Sequence, residues 1–165
     1  NEKGAACFPF DSEGVKKGRT ELVKEGTLLG FLYDTFYARK ANTSSTGSSS
    51  RTSIKLPPGV GASNLSIEPG TRSLEDMFRE AWSGLYITEL VGVHTADPVS
   101  GDFSLGVTGR WIKRGKLSFP VRGMAVSGNL FELFRGVKCV GSDHRFYGPW
   151  GSPSLLLERV SLSGR

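Results

Sequence analysis

The residues best suited to chemistry in this chain are two histidines, two cysteines and the carboxylates beside them. His94, Asp97 and Asp102 lie close together in sequence. One imidazole with two carboxylates is a donor set that a metal ion accepts. His94 and Asp97 stand three apart at what reads as the end of a strand, however, and alternation splays such side chains. The plainer reading is a polar strand end running into a turn. Cys139 and His144, with Asp143 beside the histidine, form the second set. A nucleophilic cysteine needs a base within hydrogen-bond reach. Cys139 instead sits between Lys138 and Val140 in an apolar strand, where a cysteine packs. Glu68 and Asp34 flank apolar strands and read as turn caps or acceptors for backbone amides. No HExxH, GxSxG or GxxxxGK occurs. The residues therefore assign no catalytic group and no metal site.

The stretch "DPVSGDFSLGVTGRWIKRGKLSFPVRG" offers a different kind of candidate. Ser100 and Asp102 can each accept from turn amides, and Gly101 admits a positive φ. Phe103 and Leu105 then point the same way along the next strand. The result is a rigid strand entrance, which serves a site and an interface equally well.

The elements that would hold these residues follow from pattern. "LVKEGTLLGF" and "WIKRGKLSFP" share one layout, apolar residues on either side of a polar turn closed by Gly26 or Gly115, and predict two hairpins. "RSLEDMFREAWSG" predicts a helix from about Leu74 to Ser83. Ser73 is its cap, Asp76 the capping-box partner, and Met77, Phe78 and Trp82 lie on its buried face. Gly84 is its stop. "GNLFELFRG" predicts a shorter helix, with Asn129 and Glu132 as cap pair and Gly136 as stop. "LYITELVGV" and "SLLLERVSL" predict strands. The fold class is α+β, mostly β: a twisted antiparallel sheet with hairpins and two short helices. Residues 42–56 form a polar Ser/Gly-rich loop that lacks the apolar residues to order itself by burial.

Length and composition set the bounds. The chain's 165 residues suit a single domain with a real core. The net charge of +5 admits a nucleic-acid partner, but the basic residues are scattered and argue against one. No apolar run is long enough to span a membrane. Cys7 and Cys139 lack CxxC spacing. They read as reduced thiols in a cytoplasmic protein, with one long-range disulfide as the alternative.

Nine pieces in order resemble one family: "PFDSEGV", "RTELVKEGTLLGFLYDTFYARK", "STG", "IEPG", "GLYITEL", "VSGDFSLGVTGRWIKRGKLSFPV", "SGNLFELF", "VGSD" and a closing "LSG". Together they are similar to the TldD/PmbA proteins from about Phe10 to Gly164. The resemblance implies that this chain is the C-terminal part of a two-part protein. It implies that active TldD-like members are zinc metallopeptidases whose HExxxH lies upstream of this portion, with a cysteine near the C-terminus as third ligand. It implies a PmbA-like partner, also called TldE, without zinc, and a pair that cleaves unfolded peptides. Here "HRFYGPWGSPSLLLE" offers Gly148, Trp150 and Gly151 where the ligand cysteine would fall, and Cys139 comes too early. "LYDTFYARK" and "GVTGRWIKRGKLSFPV" lie closer to the PmbA side. The expectation is a metal-free partner subunit in a homo- or hetero-dimer with a TldD/PmbA-like chain, with zinc only in the active partner. The alternatives are an active zinc metallopeptidase with its motif upstream, and the gyrase-related or nucleic-acid binding module of the family's older name. Trp111, Phe119 and Trp150 are the expected interface anchors, with ordinary core as the competing reading.

Overall fold

The structure is a computed structural model that describes residues 7–164. Its first part carries β1 (Val23–Lys24), β2 (Thr27–Leu28), α1 (Thr35–Lys40), β3 (Ser49–Ser50), β4 (Gly59–Val60) and β5 (Leu65–Ser66). Then come α2 (Leu74–Ala81), β6 (Ser83–Val91), β7 (Asp102–Lys113), β8 (Lys116–Asn129), α3 (Leu130–Arg135) and β9 (Val137–Val140). The chain closes with β10 (Arg145–Tyr147), β11 (Trp150–Ser152), β12 (Leu155–Leu157) and β13 (Ser161–Ser163). These elements form two compact units. One holds the described residues through Ile67 with Arg145–Ser152, and the other holds Glu68–His144 with Pro153 onward.

The second unit is built on a four-stranded sheet in the order β13-β8-β7-β6, with every pairing antiparallel. β7 and β8 form a long hairpin. Its two-residue turn puts Arg114 at φ 52° and Gly115 at φ 71°, the left-handed pair that matches strand twist. Leu105 faces Val126 and Val107 faces Met124, so Phe103, Leu105, Val107 and Val126 meet on one side of the sheet. Leu85, Ile87, Leu133 of α3 and Val160 pack against them. Burying each such side chain stabilises by about 1.5–3 kcal/mol. Alternation along β7 thus gives the core, as the apolar pattern predicts.

Helix α2 starts as expected. Ser73 Oγ accepts from the Asp76 amide at 3.2 Å and donates to Asp76 Oδ2 at 2.7 Å. Its end differs. The helix stops at Ala81, and Trp82 takes φ 56°, ψ −53°. Gly84 is not the stop but lies inside β6. The turn takes Trp82 off the helical stripe. Met77 is buried and Phe78 stacks edge-on against Tyr86 at 5.2 Å, but Trp82 is 63% exposed and is not core. In α3 the Asn129 side chain caps the Phe131 amide and Gly136 ends the helix. Glu132 does not complete a capping box; its carboxylate pairs with Arg135 at 2.6 Å. The closing segment is not one strand. β12 pairs with β9, and β13 pairs with β8.

In the first unit Glu25 at φ 49° and Gly26 at φ 79° close the β1–β2 hairpin with the same turn as Arg114–Gly115. A third short helix, α1, joins the two expected. Asp34 Oδ1 accepts from the Tyr37 amide at 2.7 Å and starts it. Phe36 and Tyr37 are both exposed, so α1 has no apolar stripe to announce it. The Ser/Gly-rich stretch is ordered here by polar contacts rather than by apolar burial. The Ser49 amide donates to Asp11 Oδ2 at 3.0 Å, and β3 pairs with β4. β10, β11 and β5 make a three-stranded sheet in which the β11–β5 pair is parallel, unlike the other strand pairs among the described residues.

Candidate functional site: a strand-entrance turn and two aromatic patches

The turn before β7 is closed by its own polar groups. Asp97 Oδ1 accepts from the amides of Val99 at 2.7 Å and Ser100 at 3.2 Å. These amides hold the Asp97 carboxyl below the usual range. The Gly101 amide donates to the Asp97 carbonyl, and the Asp97 amide to the Asp102 carbonyl, each at 2.9 Å. Ser100 Oγ accepts from the Asp102 amide at 3.2 Å, as its position predicts. Asp102 differs: its Oδ1 accepts from Asn129 Nδ2 at 2.8 Å, and Asp97 is the residue that accepts from turn amides. Gly101 sits at φ 81°, and a Cβ there would come to 3.2 Å from the Phe131 ring. Ser100, Gly101 and Asp102 are therefore one rigid knot joined to the start of α3. These carboxylates spend their oxygens on the turn, which suits positioning rather than proton transfer. Asn129 is the member that the sequence reading missed as a partner of the turn. Its role as a cap was legible; its second bond spans two distant segments.

Trp111 and Phe119 lie parallel and offset, 6.4 Å between centroids and 6° between planes. Trp111 stands opposite Leu85, so the stack extends the apolar side of the sheet. Phe119 is 54% exposed, while Trp111 is half-buried. Trp150 belongs to the other unit. It pairs in register with Tyr147 on one side and Leu65 on the other, and all three are exposed. Cross-strand partners share a face, so these three make a row across the small sheet. The tight hairpin around Gly148–Pro149 is the sequence signal that could have added Tyr147.

The remaining candidates do not assemble. His94 lies in a 3-10 turn at Val93–Thr95. The Cys139 thiol is pushed up by burial and by the Glu80 carboxylate, which opposes a thiolate. Asp143 binds the amide and hydroxyl of Ser154 at 3.0 and 2.7 Å. Both cysteines are thiols rather than halves of a disulfide. Among the described residues no three of His, Cys, Asp and Glu gather as metal ligands. None of the helices among them is long and apolar enough to cross a membrane.

A family model described as the PmbA/TldA metallopeptidase C-terminal domain matches residues 1–164. The chain belongs to the PmbA/TldD family. It is 33% identical over 163 residues to Metalloprotease PmbA of Escherichia coli O157:H7, covering 99% of this chain and 34% of that protein. A protein of Methanocaldococcus jannaschii is 36% identical over 126 residues, covering 76% of this chain and 29% of the relative. A crystal structure from Thermotoga maritima, presented as a candidate modulator of a DNA gyrase, superposes with TM-score 0.91 at 32% identity, covering 99% of this chain and 37% of that one. TldE from Thermococcus kodakarensis superposes with TM-score 0.85 at 27% identity, over 95% of this chain and 36% of that one. The chain spans about a third of the length of these relatives. Relatives named metalloproteases imply a metal in the family. The described residues of this PmbA/TldD domain do not fit one: the imidazoles lie apart from any ligand set, and the thiol of Cys139 is held protonated.

Proposed function

We propose that this domain belongs to the metal-free, TldE-like subunit of a pair that cleaves unfolded peptides, working in the cytoplasm beside a zinc-bearing TldD-like chain. The observation that carries the reading is the donor set. His94, Asp97 and Asp102 are committed to a turn or apart from it, and Cys139 is a packed thiol. Where the resemblance puts the third zinc ligand, this chain has the Gly148–Trp150 hairpin instead. In this reading the Ser100–Asp102 knot and the Trp111–Phe119 and Trp150 patches are contact surfaces for the dimer.

A second reading is favoured by the name Metalloprotease carried by several relatives: an active enzyme whose motif lies in a portion preceding this one. One experiment separates the two. The full-length protein is purified alone and with a TldD-like partner, and zinc content and digestion of an unfolded casein are measured. The proposal expects little zinc and no digestion alone, and digestion by the pair. Stoichiometric zinc with digestion by the protein alone would overturn it.

A further inference from the structure

The second unit contains a cavity of about 420 Å³, lined among others by Phe103, Leu133, Arg135, Glu158, Arg159 and Val160. That volume suits a small ligand or one to two residues of a peptide. Its walls are set by local structure. The Glu158 amide donates to the Gly136 carbonyl at 2.9 Å, and a Cβ on Gly136 would come to 2.9 Å from the Glu158 carbonyl oxygen. The stop of α3 must therefore be glycine for the two segments to close on each other. Val160 and Leu133 belong to the rim of the core and Phe103 to the core itself, so the floor is apolar.

Four charged side chains line the cavity, Glu132, Arg135, Glu158 and Arg159, and three of them are in ion pairs. Arg135 is taken by Glu132 at 2.6 Å, and Glu158 by Lys138 at 3.2 Å. Arg159 enters no ion pair among the described residues. Its backbone is held at φ 59°, uncommon for a side chain of that size, where the chain bends between β12 and β13. Arg159 lines the cavity beside this apolar floor, and a guanidinium there suits a carboxylate attached to an apolar group. Ser161 also lines the cavity, and it opens β13, the edge strand of the sheet. Edge strands take up extended chains through their outward amides and carbonyls.

We propose that this cavity receives the C-terminal residue of an extended peptide, its carboxylate on Arg159, its apolar side chain on Phe103, Leu133 and Val160, and its preceding residues added as a strand along β13. The proposal rests on the reading of the protein as part of a peptide-cleaving pair, and it names which end of the peptide this subunit holds.

The probe is fluorescein-Gly-Ser-Ala-Leu-Phe, with a free carboxylate or as its C-terminal amide, followed by fluorescence anisotropy on the full-length protein in chelator. The acid should bind about tenfold more tightly than the amide. Arg159→Asn, a residue that tolerates positive φ, should abolish that difference by weakening the acid alone. Equal binding of acid and amide to the parent protein, or no effect of R159N on the acid, would overturn the site. N-acetylphenylalanine competing as well as the pentapeptide would overturn the strand along β13. Failure of the metal-free reading shows separately, as zinc and digestion, and leaves this binding test intact.

Discussion

The Asn129 side-chain amide donates to the Asp102 carboxylate at 2.8 Å and to the Ser100 carbonyl at 2.9 Å, while its oxygen caps the Phe131 amide at 3.0 Å. One side chain thus ties the entrance of β7 to the start of α3. Asn129→Ala removes the cap and strips a partner from Asp102. It should lower stability by about 1–2 kcal/mol, read in urea unfolding. Asn129→Asp keeps the cap oxygen but sets a second carboxylate against Asp102. It should be worse at pH 7 than at pH 4, where protonation relieves the repulsion.

Two glycines in β7 make a matched pair. A Cβ on Gly109 would run into the Tyr86 carbonyl of the neighbouring strand, whereas on Gly106 it would meet Val91 at an ordinary 3.4 Å. Gly109→Ala should cost about 1–3 kcal/mol by forcing β6 and β7 apart. Gly106→Ala should be neutral or stabilise by up to about 1 kcal/mol, through a less flexible unfolded chain. Thermal melts of the two variants check the contrast.

Trp82 offers the opposite test. It ends α2 in a backbone conformation that suits glycine, with the ring in solvent. Trp82→Ala should therefore change stability by less than about 0.5 kcal/mol, rather than the ~3–5 kcal/mol of a core tryptophan. Trp82→Gly should gain about 1 kcal/mol by releasing the strained φ. A large loss in Trp82→Ala would restore the residue to the core.

Asp11 carries the pH dependence of the first unit. Burial pushes its carboxyl up, but the amides of Ser49, Glu13 and Val15 and the charge of Lys17 outweigh this, and the folded value lies below the usual one. A depressed folded value gives stability that is present above the unfolded pKa of about 4 and lost as pH falls through the folded one. Asp11→Asn cannot accept at both oxygens, so its amide would face the Ser49 N–H. The variant should be less stable at pH 7 and lose less than the parent below pH 4 in urea titrations.

Legibility followed the range of the interaction. The hairpins at Gly26 and Gly115 were readable because a two-residue turn needs only local φ values. Phe103 and Leu105 were readable because one strand's alternation fixes their face. Helix α1 was not, since its one signal is a single Asp34 cap followed by exposed aromatics. The end of α2 failed because helical spacing was extended one residue past the point where Trp82 leaves the helix. In the candidate site, Gly101 was readable from its turn. The Asn129–Asp102 bond joins groups 27 residues apart and has no local trace. The cavity at Arg159 had none either, because it arises where α3 and the chain before β13 happen to face each other.

The Trp111–Phe119 stack decides between core and contact surface. Phe119 is over half exposed and lies parallel to the half-buried Trp111. A purely structural Phe119 would matter to folding, and a docking Phe119 would matter to association. Phe119→Ser should cost the fold no more than about 1 kcal/mol, because over half of the residue is already exposed. If the stack anchors a dimer, the same change should weaken association by about tenfold or more, since aromatic anchors at the centre of a contact dominate its energy. Sedimentation equilibrium of the full-length protein and its F119S variant, alone and with a TldD-like partner, gives the dissociation constants. Unchanged association with a melting temperature many degrees lower would assign the stack to the core. Unchanged melting with weakened association assigns it to the interface.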